Sequence, residues 1–198
     1  MDELSLEQKQ QQFDEFFRIK HSLKANMKPL EDDFVLPHVD NLREHMPYAF
    51  RIATEVSTLE ASALRPLRKL GEQAQELASF LNHQSRKIDL MMSYILHSQM
   101  EEQYQYESYS FGGGGVVLIS DQPAEIGQRC ELRLFIDEEA SAVFCYGEII
   151  ACDKVEDDYH LSLIFTRIRD EDQEVLVRAS LHLQTQQLRA RKKQQDND

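Results

Sequence analysis

The sequence predicts an α+β fold: a helical, coiled-coil-bearing region over residues 1–101, then antiparallel strands closed by one C-terminal helix over residues 102–198. Three observations predict it. Up to Glu102 the chain holds four of its five prolines and a single glycine, Gly71, and its apolar residues recur at helical spacing. Beyond that point come the other six glycines and short, alternating, β-branched segments. Just before it, a stripe of apolar residues keeps a strict heptad rhythm.

In chain order, Ser5-Leu6-Glu7-Gln8 has the makings of a capping box, and Leu6, Phe13, Phe16, Phe17, Leu23 and Met27 follow at roughly helical spacing. This predicts an amphipathic helix ending before Pro29. The stretch 31–47, with Pro37 and three early acids, reads as a loop. Ala49, Ile52, Ala53, Val56 and Leu59 then restart a helical face, which Pro66 kinks or divides.

Leu70, Ala74, Leu77, Leu81, Gln84, Ile88, Met91 and Ile95 are spaced alternately by four and three residues, the a/d pattern of a coiled coil. A helix of that length spans roughly 40 Å, more than a small sheet domain needs for its own packing. The excess stripe points to pairing with another copy; packing on the preceding helices as an internal bundle uses the same geometry. Gln84, the one polar seam position, either fixes register or faces solvent.

The second part opens with the alternating run Gln103-Tyr104-Gln105-Tyr106-Glu107-Ser108 and passes through Gly112-Gly113-Gly114-Gly115 into Val116-Val117-Leu118-Ile119. A turn at Asp121-Gln122-Pro123 follows. Cys130, Leu132, Leu134 and Ile136 alternate with Glu131, Arg133, Phe135 and Asp137, as in a strand with one buried face. Residues 142–152 and 159–168 supply two more strands. Acids at Asp170-Glu171-Asp172 open a final helix whose later turns carry Arg178, Arg189, Arg191, Lys192 and Lys193, as the helix dipole favours.

A formal charge of -13 and a pI near 5.0 exclude a nucleic-acid binder, whose affinity rests on clustered cations. No apolar run approaches the roughly eighteen residues a membrane helix needs, and the first residues lack the pattern of a signal peptide, so a cytoplasmic protein without membrane insertion is expected. Cys130, Cys145 and Cys152 have no C-x-x-C spacing and read as free thiols. The seven histidines offer no pair at metal-ligand spacing, and no metal is expected. His160 with Cys145 or Cys152 lacks a third orienting group, so no catalytic residue is assigned.

The glycine run invites comparison with phosphate loops, but no Lys-Ser or Lys-Thr follows and the next segment is a strand. Between Lys87 and Arg129 there is no Lys or Arg to counter a phosphate. Taken as structure, the glycines let strands turn or bulge with positive φ. Ser108-Tyr109-Ser110-Phe111-Gly112-Gly113 resembles the D/N-x-S-x-x-G signature of the PilZ family, with Ser108 in the leading place and Ser110 and Gly113 matching. The order of the following segments through the closing helix fits the same family over roughly residues 103–190. The resemblance implies a small β-barrel and a role in bacterial cyclic di-GMP signalling, with motility, pili or exopolysaccharide as outputs and a protein partner in one of them.

Family members that bind cyclic di-GMP also carry R-x-x-x-R upstream, where two arginines grip phosphates and guanine edges. Here Arg65 and Arg68 are wrongly spaced, Arg86 stands without a second arginine, and Arg129-Cys130-Glu131-Leu132-Arg133 follows the glycine motif. An atypical branch of the family lacks that motif and assembles into tetramers through a long heptad helix, which the seam resembles. The expected protein is therefore a non-enzymatic adaptor that self-associates, possessing no cofactor. The alternative is a cyclic di-GMP receptor in which Ser108, Ser110, Gly112 and Gly113 are completed by Arg189 and Arg191 from the tail or another protomer.

Overall fold

A computed structural model describes residues 4–67 and 75–195 and contains, among them, seven strands and five α-helices. The alternating segments after Gln103 form β3 (Gln105–Gly112), β4 (Gly115–Ser120), β5 (Arg129–Ile136), β6 (Ser141–Val155) and β7 (Asp158–Arg167). Two more strands come from far upstream: β1 (Arg18–Lys20) and β2 (Lys24–Pro29). β3 pairs with β4 on one edge, and with β2 and then β1 on the other. The ring β3–β2–β5–β6–β7–β4–β3 closes as a six-stranded antiparallel barrel, with β1 continuing the line of β2 after a break. Closure leaves no long unpaired edge.

The single helix expected between Leu6 and Met27 is thus corrected. The helix α1 (Leu6–Glu15) stops early, although its capping box forms as expected: Ser5 Oγ accepts from the Gln8 amide and Gln8 Oε1 accepts from the Ser5 amide. Ile19, Leu23, Ala25 and Met27 occupy alternate positions, and all four are buried in the barrel. An extended chain puts such residues on one face, whereas a helix would scatter them. The expected division at residue 102 also fails to separate helices from sheet, because the helical segment is inserted between β2 and β3.

That insertion comprises α2 (Leu42–His45), α3 (Tyr48–Leu67) and α4 (Gln75–His97). The first turns of α3 and the last turns of α4 rest on β6, so the two run antiparallel and leave the barrel together. Phe50, Ala53, Met92 and Leu96 pack there against Phe135, Ala142, Phe144 and Tyr146, forming a second core outside the barrel wall. β5 consequently buries Phe135 on its outer face as well as Cys130, Leu132, Leu134 and Ile136 inside. Helix α5 (Asp170–Gln195) inserts Leu176, Ala179 and Leu183 into the interior cluster. Buried Arg169 donates from Nε and Nη2 to the two Asp172 oxygens, 2.8 Å each, and Nη2 lies 3.4 Å from Thr54 Oγ1 of α3. Among the described residues no helix is long and apolar enough to cross a membrane.

Candidate functional site

Residues 13–17 form a strap over the glycine run, and the strap together with Val177 of α5, 2.6 Å from where a Cβ on Gly113 would lie, and the Leu163 carbonyl of β7 beside Gly115 explains the run. A Cβ on Gly112 would lie 2.1 Å from the Phe17 carbonyl oxygen, one on Gly114 2.3 Å from Phe16 Cδ2, and one on Gly115 2.4 Å from Phe13 Cε2. None of the four glycines has a positive φ, so the expected reason for them is corrected: they make room for aromatic rings and backbone. α5 closes the other side, with Gln173 Nε2 donating to the Gly113 carbonyl at 2.9 Å.

The strap is anchored beyond the glycines. Lys9 Nζ reaches both Glu148 oxygens at 2.7 Å, Gln10 donates to the Ile150 carbonyl, and Phe13 is buried with Val117, Ile150 and Ile164. Burial of the ion pair beneath α1 strengthens it beyond a surface contact.

Ser108 and Ser110, paired in the sequence motif, do different things. Ser108 is buried; its hydroxyl accepts from the Leu23 amide and donates to the His21 carbonyl, both at 2.8 Å. It therefore bridges the break between β1 and β2. The β3–β4 register shifts between Ser108 and Ser110, and this bulge turns Tyr109 outward. Ser110 lines a groove of about 550 Å³ with Arg18, Lys20, Tyr109, Asp153 and His160.

Arg18 and Lys20 are the residues the sequence reading missed. The stretch around the glycines carries no cation of its own, yet β1 lays two beside Ser110 by pairing Lys20 with Ser110 and Arg18 with Gly112. Arg18 is already engaged: Nη1 donates to the Phe13 carbonyl at 2.6 Å, Nη2 to Asp14 Oδ1 at 3.1 Å, and its plane lies 3.9 Å from the Phe13 ring centre. Lys20 Nζ stands 4.9 Å from the Tyr109 ring, which in turn packs on His160 at 4.5 Å. Asp14 and Asp153 line the same groove, so its two acids offset its two permanent cations. Asp14 and Arg18 are four residues apart, the R-x-x-x-R spacing with an acid in the first place.

Of the tail residues, Arg191 borders a hollow of about 220 Å³ shared with Arg18 and Lys20, while Arg189 is exposed. Arg129 and Arg133 lie elsewhere: Arg129 donates to the Asp32 carbonyl and Arg133 pairs with Glu131 and Glu101. Burial pushes the Cys130 thiol up to about 12 and that of Cys145 well above its ordinary value, so neither is a nucleophile at neutral pH.

The heptad seam is uncovered where the structure describes it. Leu77 is 52% exposed and Met91 58%; Ile88 and Ile95 are exposed, and Leu81 and Gln84 are half-buried. Leu70 and Ala74 lie outside the described residues. Among the described residues of α4, only Met92 and Leu96, on the adjoining face, are buried.

A six-stranded barrel with a glycine-marked groove and a closing helix defines a PilZ-type module. The family model of the PilZ domain matches residues 83–182, about half of the chain, and the protein belongs to the PilZ domain family. The match begins within α4, so β1 and β2 fall outside it. Among solved structures the chain is similar to a tetrameric PilZ domain protein of Xanthomonas campestris that self-assembles through an unusual helical bundle. The TM-score is 0.54 at 14% identity, over 90% of this chain and 96% of that one. It is also similar to the inhibitor of motility of Bacillus subtilis, with TM-score 0.46 and 10% identity over 86% of this chain, spanning 51% of that protein. No curated protein sequence matches the chain.

Proposed function

We propose that the protein is a non-enzymatic, cytoplasmic regulatory module in bacterial cyclic di-GMP signalling that self-associates through α4 and acts by contact with a protein controlling motility, pili or exopolysaccharide. One observation carries this reading: the apolar seam of α4 is exposed although the root of the same helix is built into the protein. Exposed apolar stripes of this length mark interaction surfaces. The similar Xanthomonas protein assembles through a helical bundle, which supports helix pairing here. Substituting Leu77→Asp together with Ile88→Asp places charge on the seam without touching the buried root. Sedimentation should show a lower mass with unchanged circular dichroism; an unchanged mass in the folded protein overturns the reading.

A second reading is a cyclic di-GMP receptor, favoured by Arg18 and Lys20 beside Ser110. The exposed Arg18–Asp14 pair contributes little and could exchange for a phosphate. Arg191 at the neighbouring hollow could add a third cation. Binding that vanishes in Arg18→Ala and Ser110→Ala is its signature.

A further inference from the structure

Helix α5 carries a second uncovered seam. Glu174, Val177, Leu181, Gln184, Leu188 and Arg191 are spaced alternately by three and four residues. Val177, Leu181 and Leu188 are 39%, 51% and 52% exposed, while the barrel takes Leu176, Ala179 and Leu183 from the other face of the helix. Two hollows run along this seam. One of about 700 Å³ is lined by Phe16, Glu174, Val177 and Leu181, and one of about 220 Å³ by Phe17, Lys20, Leu188 and Arg191. The groove has opposite charge at its two ends: at the start of α5 Asp170 and Glu174 outnumber one cation, Arg178, which lies 3.4 Å from Glu139, and at its finish stand Arg18, Lys20 and Arg191.

We infer that this groove receives α5 of a second copy of the chain, lying antiparallel across it. Antiparallel placement sets each acidic end against the other copy's basic end and opposes the two helix dipoles; parallel placement would set acid on acid. A two-fold axis level with the midpoint of Leu181 and Gln184 sets Glu174 against Arg191, Val177 against Leu188 and Leu181 against Gln184 of the other copy, in a self-complementary contact. This surface lies on a different helix from the α4 seam and goes beyond the α4 reading.

The test is sedimentation of the full chain carrying Leu77→Asp and Ile88→Asp, which removes α4 pairing. That protein is expected to remain a dimer, and Leu181→Asp added to it should give monomers with unchanged circular dichroism. Arg191→Glu removes two symmetry-related ion pairs and should weaken the dimer by roughly a hundredfold, about tenfold for each pair. Adding Glu174→Lys should restore it, because each copy then carries both exchanged charges; a groove that serves a foreign helix would show no such rescue. A folded monomer before any change in α5, or a dimer indifferent to Leu181→Asp, overturns the inference. If the α4 substitutions leave the mass unchanged, the α4 reading fails instead, and Leu181→Asp is read against the wild-type protein.

Discussion

Replacing Gly114 with alanine tests whether the glycines exist to receive the strap. The new Cβ would stand 2.3, 2.6 and 3.0 Å from Cδ2, Cγ and Cβ of Phe16, where carbon atoms are comfortable at about 3.5–4.0 Å. The ring must withdraw by roughly 1 Å, an overpacking cost of about 1–3 kcal/mol. For a chain of this size each kcal/mol lowers Tm by about 2–4 °C. Phe16→Ala alone, at a half-buried site, should cost about 2 kcal/mol, below the range for full burial. In the double variant most of the obstructing ring is gone, so Gly114→Ala should become cheap, with a coupling of about 1–2 kcal/mol. Urea unfolding followed by circular dichroism, at one protein concentration throughout, measures each corner of the cycle. Gly127→Ala is the control: its φ is +91° and nothing lies within 4 Å of the added Cβ, so its cost of about 1 kcal/mol is backbone strain and independent of Phe16. Strictly additive costs for Gly114→Ala and Phe16→Ala would refute the strap explanation.

Three further outcomes follow from the same contacts. Ser108→Ala leaves the buried Leu23 amide and His21 carbonyl without their shared hydroxyl and should destabilise by about 1–3 kcal/mol, with faster amide exchange at Leu23. Asp172→Ala removes both bonds between Arg169 and its buried partner and leaves the guanidinium, among the carboxylates of the described residues, only that of exposed Glu171, so the cost in urea unfolding should fall at the low end of the range for a broken buried pair, about 3 kcal/mol. With a colorimetric thiol reagent at neutral pH, the native protein should expose at most Cys152, because Cys130 and Cys145 are buried and held protonated; all three should react in denaturant.

The strands after Gln103 and the closing helix were legible because their apolar alternation and caps are local signals. β1 and β2 were not. Phe13, Phe16, Leu23 and Met27 satisfy a helical rhythm while Ile19, Leu23, Ala25 and Met27 satisfy a strand rhythm, and only the distant partners β3 and β5 decide between them. The inserted helices hide that partnership. The same distance concealed the candidate site, since the rings filling the space over the glycines and the cations beside Ser110 both come from residues 13–20. The α4 seam was readable because its heptad faces one direction. On α5, Leu176, Ala179 and Leu183 face the barrel while Val177, Leu181 and Leu188 face outward, and the two sets blur one another's period.

Calorimetric titration of the wild-type protein with cyclic di-GMP tests the account most directly. A groove whose cations are offset by Asp14 and Asp153, with Arg18 held to the strap, predicts no heat at micromolar ligand. Saturable heat that disappears in Arg18→Ala would contradict it and make the protein a receptor.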